Sequence, residues 1–187
     1  MTNNFPAPMV EVESFDLPAG RYLIADPCFS IDTDKNDFDR WGDFLSEKDN
    51  GEGTFFFEGS EVFTVETGGD GAFDHKGETY YVEAGLLGAV PAELVKDENA
   101  QGVWVDAPNG LEVDVIRDKY GSFRGVKIGE VEIVWYEFDN DQIVEYATDN
   151  ADYSVITTPE LFAALVEYND GEDDIIAEAR EALPQFA

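Results

Sequence analysis

The stretch GTFFFEGSEVFTVET, residues 53–67, contains two apolar segments separated by Glu58-Gly59. The first segment carries three consecutive phenylalanines just before this pair. In the second segment, Phe63 and Val65 alternate with the residues on either side of them, which is the two-residue period of a half-buried strand. Aromatic and β-branched residues favour strands, so the stretch predicts a β-hairpin.

Short apolar segments bounded by turn residues continue in both directions from this hairpin. Pro108-Asn109-Gly110 is a typical turn between two of them, and Asp26-Pro27 ends another. The glycine-rich residues 68–77 are predicted to form a turn. We therefore expect about eight to ten antiparallel strands. Outside the hairpin, the predicted strands cover residues 21–25, 79–83, 86–90, 103–107, 111–117, 122–128 and 131–138.

Helix signals lie mainly at the C-terminal end. Thr158-Pro159-Glu160 supplies an N-cap residue, a proline at the first helical position and an acid in the first turn. A second helix is predicted from about Glu172 to Leu183, and a short one around Trp41. The predicted fold class is α+β and mostly β, an antiparallel sandwich or partial barrel with two C-terminal helices. We expect a single domain over residues 1–187, with strands in 20–95 and 96–157 and helices in 158–187.

The charge of the chain limits the classes of partner that it can bind. The chain has 42 acidic and 11 basic residues, which gives a formal net charge of −31. Hydrophobic residues nevertheless make up 43% of the chain. Self-repulsion of this size must be offset by burial, cations or salt. Nucleic-acid phosphate and anionic membranes would repel the chain, so we expect a basic protein, in particular a nucleic-acid-binding one, as the partner. A homodimer also remains open.

The segment from Ile128 to Ala179 contains fifteen acidic residues and neither lysine nor arginine. Rows of carboxylates can imitate DNA phosphates, and the pattern favours an acidic protein-binding inhibitor that acts as a DNA mimic. A solvated surface and a passive domain adapted to high salt are the competing interpretations, and the scarcity of lysine favours the latter. The predicted partner-binding residues are Glu130, Glu132, Glu137, Asp139, Asp141, Glu145, Asp149, Asp152, Asp170, Glu172, Asp173 and Asp174.

Two stretches carry oxygen ligands at spacings that suggest weak binding of a divalent cation. Asp32, Asp34 and Asn36 alternate as in a calcium loop, but the following residues lack the glycine and the final glutamate of that motif. A solvated helix N-terminus is the favoured interpretation of these residues. Asp70 and Asp74 flank a glycine-rich stretch, in which a plain hairpin turn is the competing interpretation. No cofactor is predicted.

A small metal-dependent hydrolase is the alternative function, and it requires a specific cluster. Its residues would be Asp26, Asp70, Asp74 and His75, the last being the single histidine of the chain. Cys28 is the single cysteine, so an internal disulfide is excluded and a reducing compartment is expected. No apolar leader is visible near Met1, which favours a cytoplasmic location.

Three motifs together resemble a family of small proteins from tailed phages and bacteria to which no activity is attached. GRYLIADPCF, residues 20–29, is similar to the opening pattern G-x-Y-x-I-G-D-P-C-Y, and Gly69-Asp70-Gly71 matches a later turn. VEAGLLGAVP, residues 82–91, is similar to V-D-A-G-x-x-G-x-V-P. The resemblance spans about residues 20–95, with Ala25 and Glu83 as mild departures. The resemblance implies a phage or mobile-element origin. Such an origin favours an inhibitor directed against a host protein, for example a defence protein, and a phage-encoded chain would act in the host cytoplasm.

Overall fold

The computed structural model describes residues 5–31, 39–48, 51–95 and 100–186. The chain forms two compact units. Glu11–Tyr136 form the first, here called the β unit, and Met1–Val10 with Glu137–Ala187 form the second, here called the helical unit. The expectation of a single domain stays a prediction.

Strands in the described residues form three antiparallel sheets. In chain order they are β1 (Val10–Leu17), β2 (Gly20–Ala25), β3 (Gly53–Phe57), β4 (Ser60–Glu66), β5 (Gly71–His75), β6 (Glu78–Val82), β7 (Leu86–Pro91), β8 (Val103–Ala107), β9 (Leu111–Asp118), β10 (Phe123–Ile128) and β11 (Val131–Val134). The sheet orders are β3-β4-β7-β2-β8, β1-β9-β10-β11 and β5-β6. The predicted hairpin is confirmed as β3-β4, in which Phe57 pairs with Ser60.

The two larger sheets enclose one apolar core, which confirms the sandwich. Phe63 and Val65 of β4 share this core with Val113 of β9 and Val126 of β10. The opposite face of the five-stranded sheet is also covered. Trp41 is fully buried there in a second cluster with Val62. It belongs to α2 (Asp39–Ser46), which follows the short helix α1 (Pro27–Ser30), so the predicted helix around Trp41 is confirmed.

The helical unit contains α3 (Asn140–Asn150), α4 (Pro159–Tyr168) and α5 (Asp173–Ala182). Helices α4 and α5 confirm the two predicted C-terminal helices, and the Thr158 side chain caps α4 by accepting from the Leu161 N–H. Helix α3 lies in a region for which only strands were predicted. Its buried residues, Ile143, Val144 and Ala147, have helical spacing, which explains why the segment is not a strand.

Two predicted boundaries differ from the structure. Residues 68–77 were predicted to form a turn, but Gly71–His75 pair with Glu78–Val82. The turn itself is Lys76-Gly77, where both residues have positive φ as the tight hairpin turn requires. The strand predicted over 131–138 ends at Val134, because the N–H groups of Trp135 and Tyr136 both donate to the Arg124 carbonyl and interrupt the ladder.

A pair of glycine variants tests the packing of α1 on the five-stranded sheet. A Cβ on Gly88 of β7 would lie 2.6 Å from the Phe63 carbonyl oxygen and 2.7 Å from Pro27 Cγ, whereas a Cβ on Gly42 of α2 meets nothing within 4 Å. We expect Gly88→Ala to lower the free energy of unfolding by about 2 kcal/mol or more. Gly42→Ala should raise it by about 0.5–1 kcal/mol. Denaturant titration measures both, and equal effects would contradict the packing.

The turn between β9 and β10 generates a pH-dependent prediction. Desolvation alone would raise the pKa of Asp118, but the N–H groups of Ser122 and Tyr120 and the guanidinium of Arg124 together lower it. A lowered native pKa stabilises the fold above the unfolded value near 3.9, and the stabilisation is lost as the pH falls through the native pKa. Asp118→Asn should therefore cost about 2 kcal/mol at pH 7.

The difference between wild type and Asp118→Asn should shrink as both proteins are unfolded at successively lower pH below 4. A difference that stays constant from pH 7 to acid would contradict the lowered pKa.

Candidate functional site

A buried carboxylate joins two distant parts of the β unit. Asp26 follows β2, is 3% exposed, and its Oδ1 accepts from the Cys28 N–H at 3.0 Å, which caps α1. Its Oδ2 accepts from the N–H groups of Glu83 at 3.0 Å and Ala84 at 2.8 Å. Desolvation raises the pKa of Asp26, while these N–H groups oppose the shift. Asp26 therefore fixes the start of α1 to the connection between β6 and β7.

The three motifs of the resemblance meet at this place. Asp26 belongs to the first, and Glu83 and Ala84 belong to the last. The stretch around Gly69 is attached through Thr67, whose N–H donates to the Gly85 carbonyl at 2.9 Å and whose hydroxyl donates to the Gly69 carbonyl at 2.7 Å. Residues far apart in sequence thus form one hydrogen-bonded node, while the resemblance itself stays a prediction.

The residues of the hydrolase alternative lie at the two ends of the β5-β6 hairpin, Asp26 and Asp70 near the open end and Asp74 and His75 near the turn. Asp26 lines a cavity of about 310 Å³, and Asp70 lines another of about 610 Å³ together with Lys48 and Glu66. Gly71 pairs with Val82 and His75 with Glu78, so His75 lies at the tip of the β5-β6 hairpin. His75 is four residue steps along the strand from Gly71, a distance of roughly 13 Å.

The predicted cation ligands fall into two groups. Asp32, Asp34 and Asn36 lie outside the described residues. Asp70 is exposed, and Asp74 accepts from the Thr79 hydroxyl at the other end of β5. Within the described residues, no group of three or more His, Cys, Asp or Glu side chains is arranged to hold a metal ion.

The twelve predicted partner-binding carboxylates are divided between the units. Glu130 and Glu132 belong to the β unit, and the other ten belong to the helical unit. All are exposed except Glu132 and Asp152, which are half-buried. Glu130 lies 3.7 Å from Lys76 in an ion pair whose side chains are both about three-quarters exposed. Exposed pairs of this kind contribute little to stability.

Several of these carboxylates have local structural roles. Asp139 forms a capping box with Gln142 at the start of α3, and Asp152 accepts from the Ser154 N–H. Asp173 and Asp174 lie in the first turn of α5, where they interact favourably with the helix dipole. Part of the acidic segment therefore stabilises helix N-termini.

Other carboxylates form stripes. Asp141, Glu145 and Asp149 are exposed at successive four-residue steps along α3, so they share one face. On α5, Asp174 is followed by Glu178 and Glu181, which were absent from the predicted set although their four- and three-residue spacing in the sequence identifies them. Like charges at four-residue spacing destabilise a helix by roughly 0.2–0.5 kcal/mol per pair.

The two units differ in their content of basic residues and not in their density of acidic residues. The helical unit has 14 acidic residues in 61, and the β unit has 28 in 126, so the acidic densities are nearly equal. Arg180 is the single lysine or arginine of the helical unit, whereas the β unit has ten. The carboxylates of the helical unit therefore far outnumber the cations that the unit itself supplies.

Comparisons with protein-family models, curated proteins and solved structures found no match. None of the helices in the described ranges is long and apolar enough to cross a membrane.

The Asp26 node is tested by removing one acceptor. In Asp26→Asn the amide keeps one acceptor oxygen and turns an NH₂ group toward N–H donors, so at least one buried N–H loses its partner. We expect a loss of about 1–3 kcal/mol in the free energy of unfolding. Asp70→Asn, at an exposed carboxylate, is the matched control and should change stability by less than about 0.5 kcal/mol. Equal losses in urea titrations would show that Asp26 is not structural.

Proposed function

We propose that this chain is an acidic protein-binding inhibitor that mimics DNA toward a basic, nucleic-acid-binding partner, with the helical unit as its binding surface. The observation that supports this best is the pair of exposed carboxylate stripes on α3 and α5 in a unit with a single basic residue. The proposed encounter takes place in the cytoplasm, and in the host cytoplasm if a phage encodes the chain.

The spacing of the stripes supports mimicry. Four helical residues rise about 6 Å and three rise about 4.5 Å, so the α3 stripe carries a negative charge about every 6 Å and the α5 stripe about every 5 Å. One DNA strand carries a charge about every 3.4 Å of axis. A single stripe therefore carries roughly half the linear charge density of one DNA strand. A protein that binds phosphate rows through lysine and arginine would meet a row of charges of the same sign.

The repulsion within each stripe also supports a cationic partner. The three carboxylates of α3 form two repulsive pairs with no basic residue between them. A bound cationic surface relieves this repulsion, and it would speed association in a salt-dependent way. Binding to a basic protein thus recovers free energy that the isolated helix loses.

Displacement of DNA-binding proteins from immobilised DNA tests the proposal. Proteins of the producing cell are loaded on DNA-cellulose, and we expect the chain to release a subset at low salt and progressively less as salt rises. The triple variant Asp141→Lys, Glu145→Lys and Asp149→Lys should lose this release. A charge-matched β-unit variant, Glu11→Lys, Asp16→Lys and Glu112→Lys, should keep it. Equal loss in both variants would mean that net charge alone acts, and no release by wild type would refute the proposal.

Charge reversal at the centre of the α3 stripe makes a stability prediction. Glu145→Lys converts two repulsive four-residue pairs, with Asp141 and Asp149, into attractive ones. The free energy of unfolding at low salt should rise by roughly 1 kcal/mol, and the gain should shrink at high salt. Glu145→Gln should give about half the gain. A Glu145→Lys protein that is less stable than wild type would contradict the stripe.

A passive domain adapted to high salt is the second candidate, and the nearly equal acidic densities of the two units favour it. Carboxylates spread over both units suit a surface that is neutral only when cations are abundant. Thermal unfolding in low and in molar KCl distinguishes the candidates. A protein that folds only in molar salt supports adaptation, whereas a protein that folds at low salt and releases DNA-bound proteins supports the inhibitor.

A further inference from the structure

The cavity beside Asp26 combines aromatic, acidic and amide side chains. Its volume is about 310 Å³, and Phe29, Tyr81, Glu83 and Gln101 line it together with Asp26. Phe29 belongs to α1 and Tyr81 belongs to β6. Asp26 precedes α1 and accepts from the Glu83 N–H, which follows β6, so its hydrogen bonds hold these two segments together. The cavity is therefore built by the same node that determines the local fold.

The chemistry of the lining favours a positively charged organic group. Tyr81 is 60% exposed and Phe29 is 42% exposed, so both rings present surface to solvent beside the cavity. The faces of aromatic rings attract cations. Glu83 adds an exposed carboxylate, and none of the described lining residues is basic.

The size of the cavity and its donors disfavour a bare metal ion. A volume of about 310 Å³ is far larger than a bare metal ion fills. Calcium requires six to eight oxygen ligands, and aromatic rings supply none. The oxygens of Asp26 are already occupied by three N–H donors. An alkylammonium or guanidinium group, by contrast, uses both the apolar rings and the single exposed carboxylate.

We propose that this cavity binds an organic cation, an alkylammonium or guanidinium group, against the rings of Phe29 and Tyr81 with Glu83 as the counter-charge. The site lies wholly in the β unit. It therefore does not depend on the proposed role of the helical unit and can be tested separately.

Titration of the ¹⁵N-labelled full chain with n-butylammonium chloride, at a constant ionic strength of about 0.15 M, tests the site. We expect saturable shifts of the Tyr81, Glu83 and Gln101 amides. The neutral isostere 1-butanol should give no saturable shift. Tyr81→Ala should weaken binding about threefold, and Tyr81→Phe, which keeps the ring, should bind like wild type.

The charge of the whole chain requires its own control. Glu83→Gln should weaken binding about threefold, whereas Glu112→Gln, the same charge change at an exposed residue of β9, should leave it unchanged. Equal weakening in these two variants would overturn the proposal, because attraction to net charge would then explain it. Saturation by butanol, unchanged binding in Tyr81→Ala, or the absence of saturable shifts with butylammonium would overturn it as well.

Discussion

The β unit depends on a buried carboxylate. The Asp26 carboxylate is buried at the end of the interior strand β2, and three backbone N–H groups from two segments bind it. A buried carboxylate is tolerated only when such donors replace its hydration. The same donors would otherwise be unsatisfied, since the Cys28 N–H begins a helix and the Glu83 and Ala84 N–H groups follow a strand. One side chain thus satisfies backbone N–H donors at the start of a helix and in a connection between strands 57 residues away.

How much of this the sequence reveals depends on the range of the interaction. The hairpin at Glu58-Gly59 and the start of α4 at Thr158 follow from local preferences, and both were predicted. Helix α3 was missed although its capping residues, Asp139 and Gln142, stand three positions apart in the sequence. Its apolar face is short, because the buried residues Ile143, Val144 and Ala147 stand among acidic ones.

Long-range features could not be predicted in this way. The alternation in β4 indicates one buried face, yet Val62 is fully buried because α2 covers the other face of the sheet. The Asp26–Glu83 contact joins two motifs that the sequence shows only as separate segments. In the same way, Asp70, Asp74 and His75 are close in sequence, but a strand extends between the first and the last and separates them. Residues that are close in sequence can lie too far apart to form one site when an extended strand separates them.

The division of the chain also determines what its optical spectra can report. All three tryptophans, Trp41, Trp104 and Trp135, belong to the β unit. Their indole emission is therefore sensitive to loss of the sandwich, whereas the far-ultraviolet ellipticity near 222 nm draws heavily on α3, α4 and α5. Two melting curves recorded on one sample would report the two units individually. Coincident curves would reveal a single cooperative transition, and displaced curves would reveal that one unit persists after the other has melted.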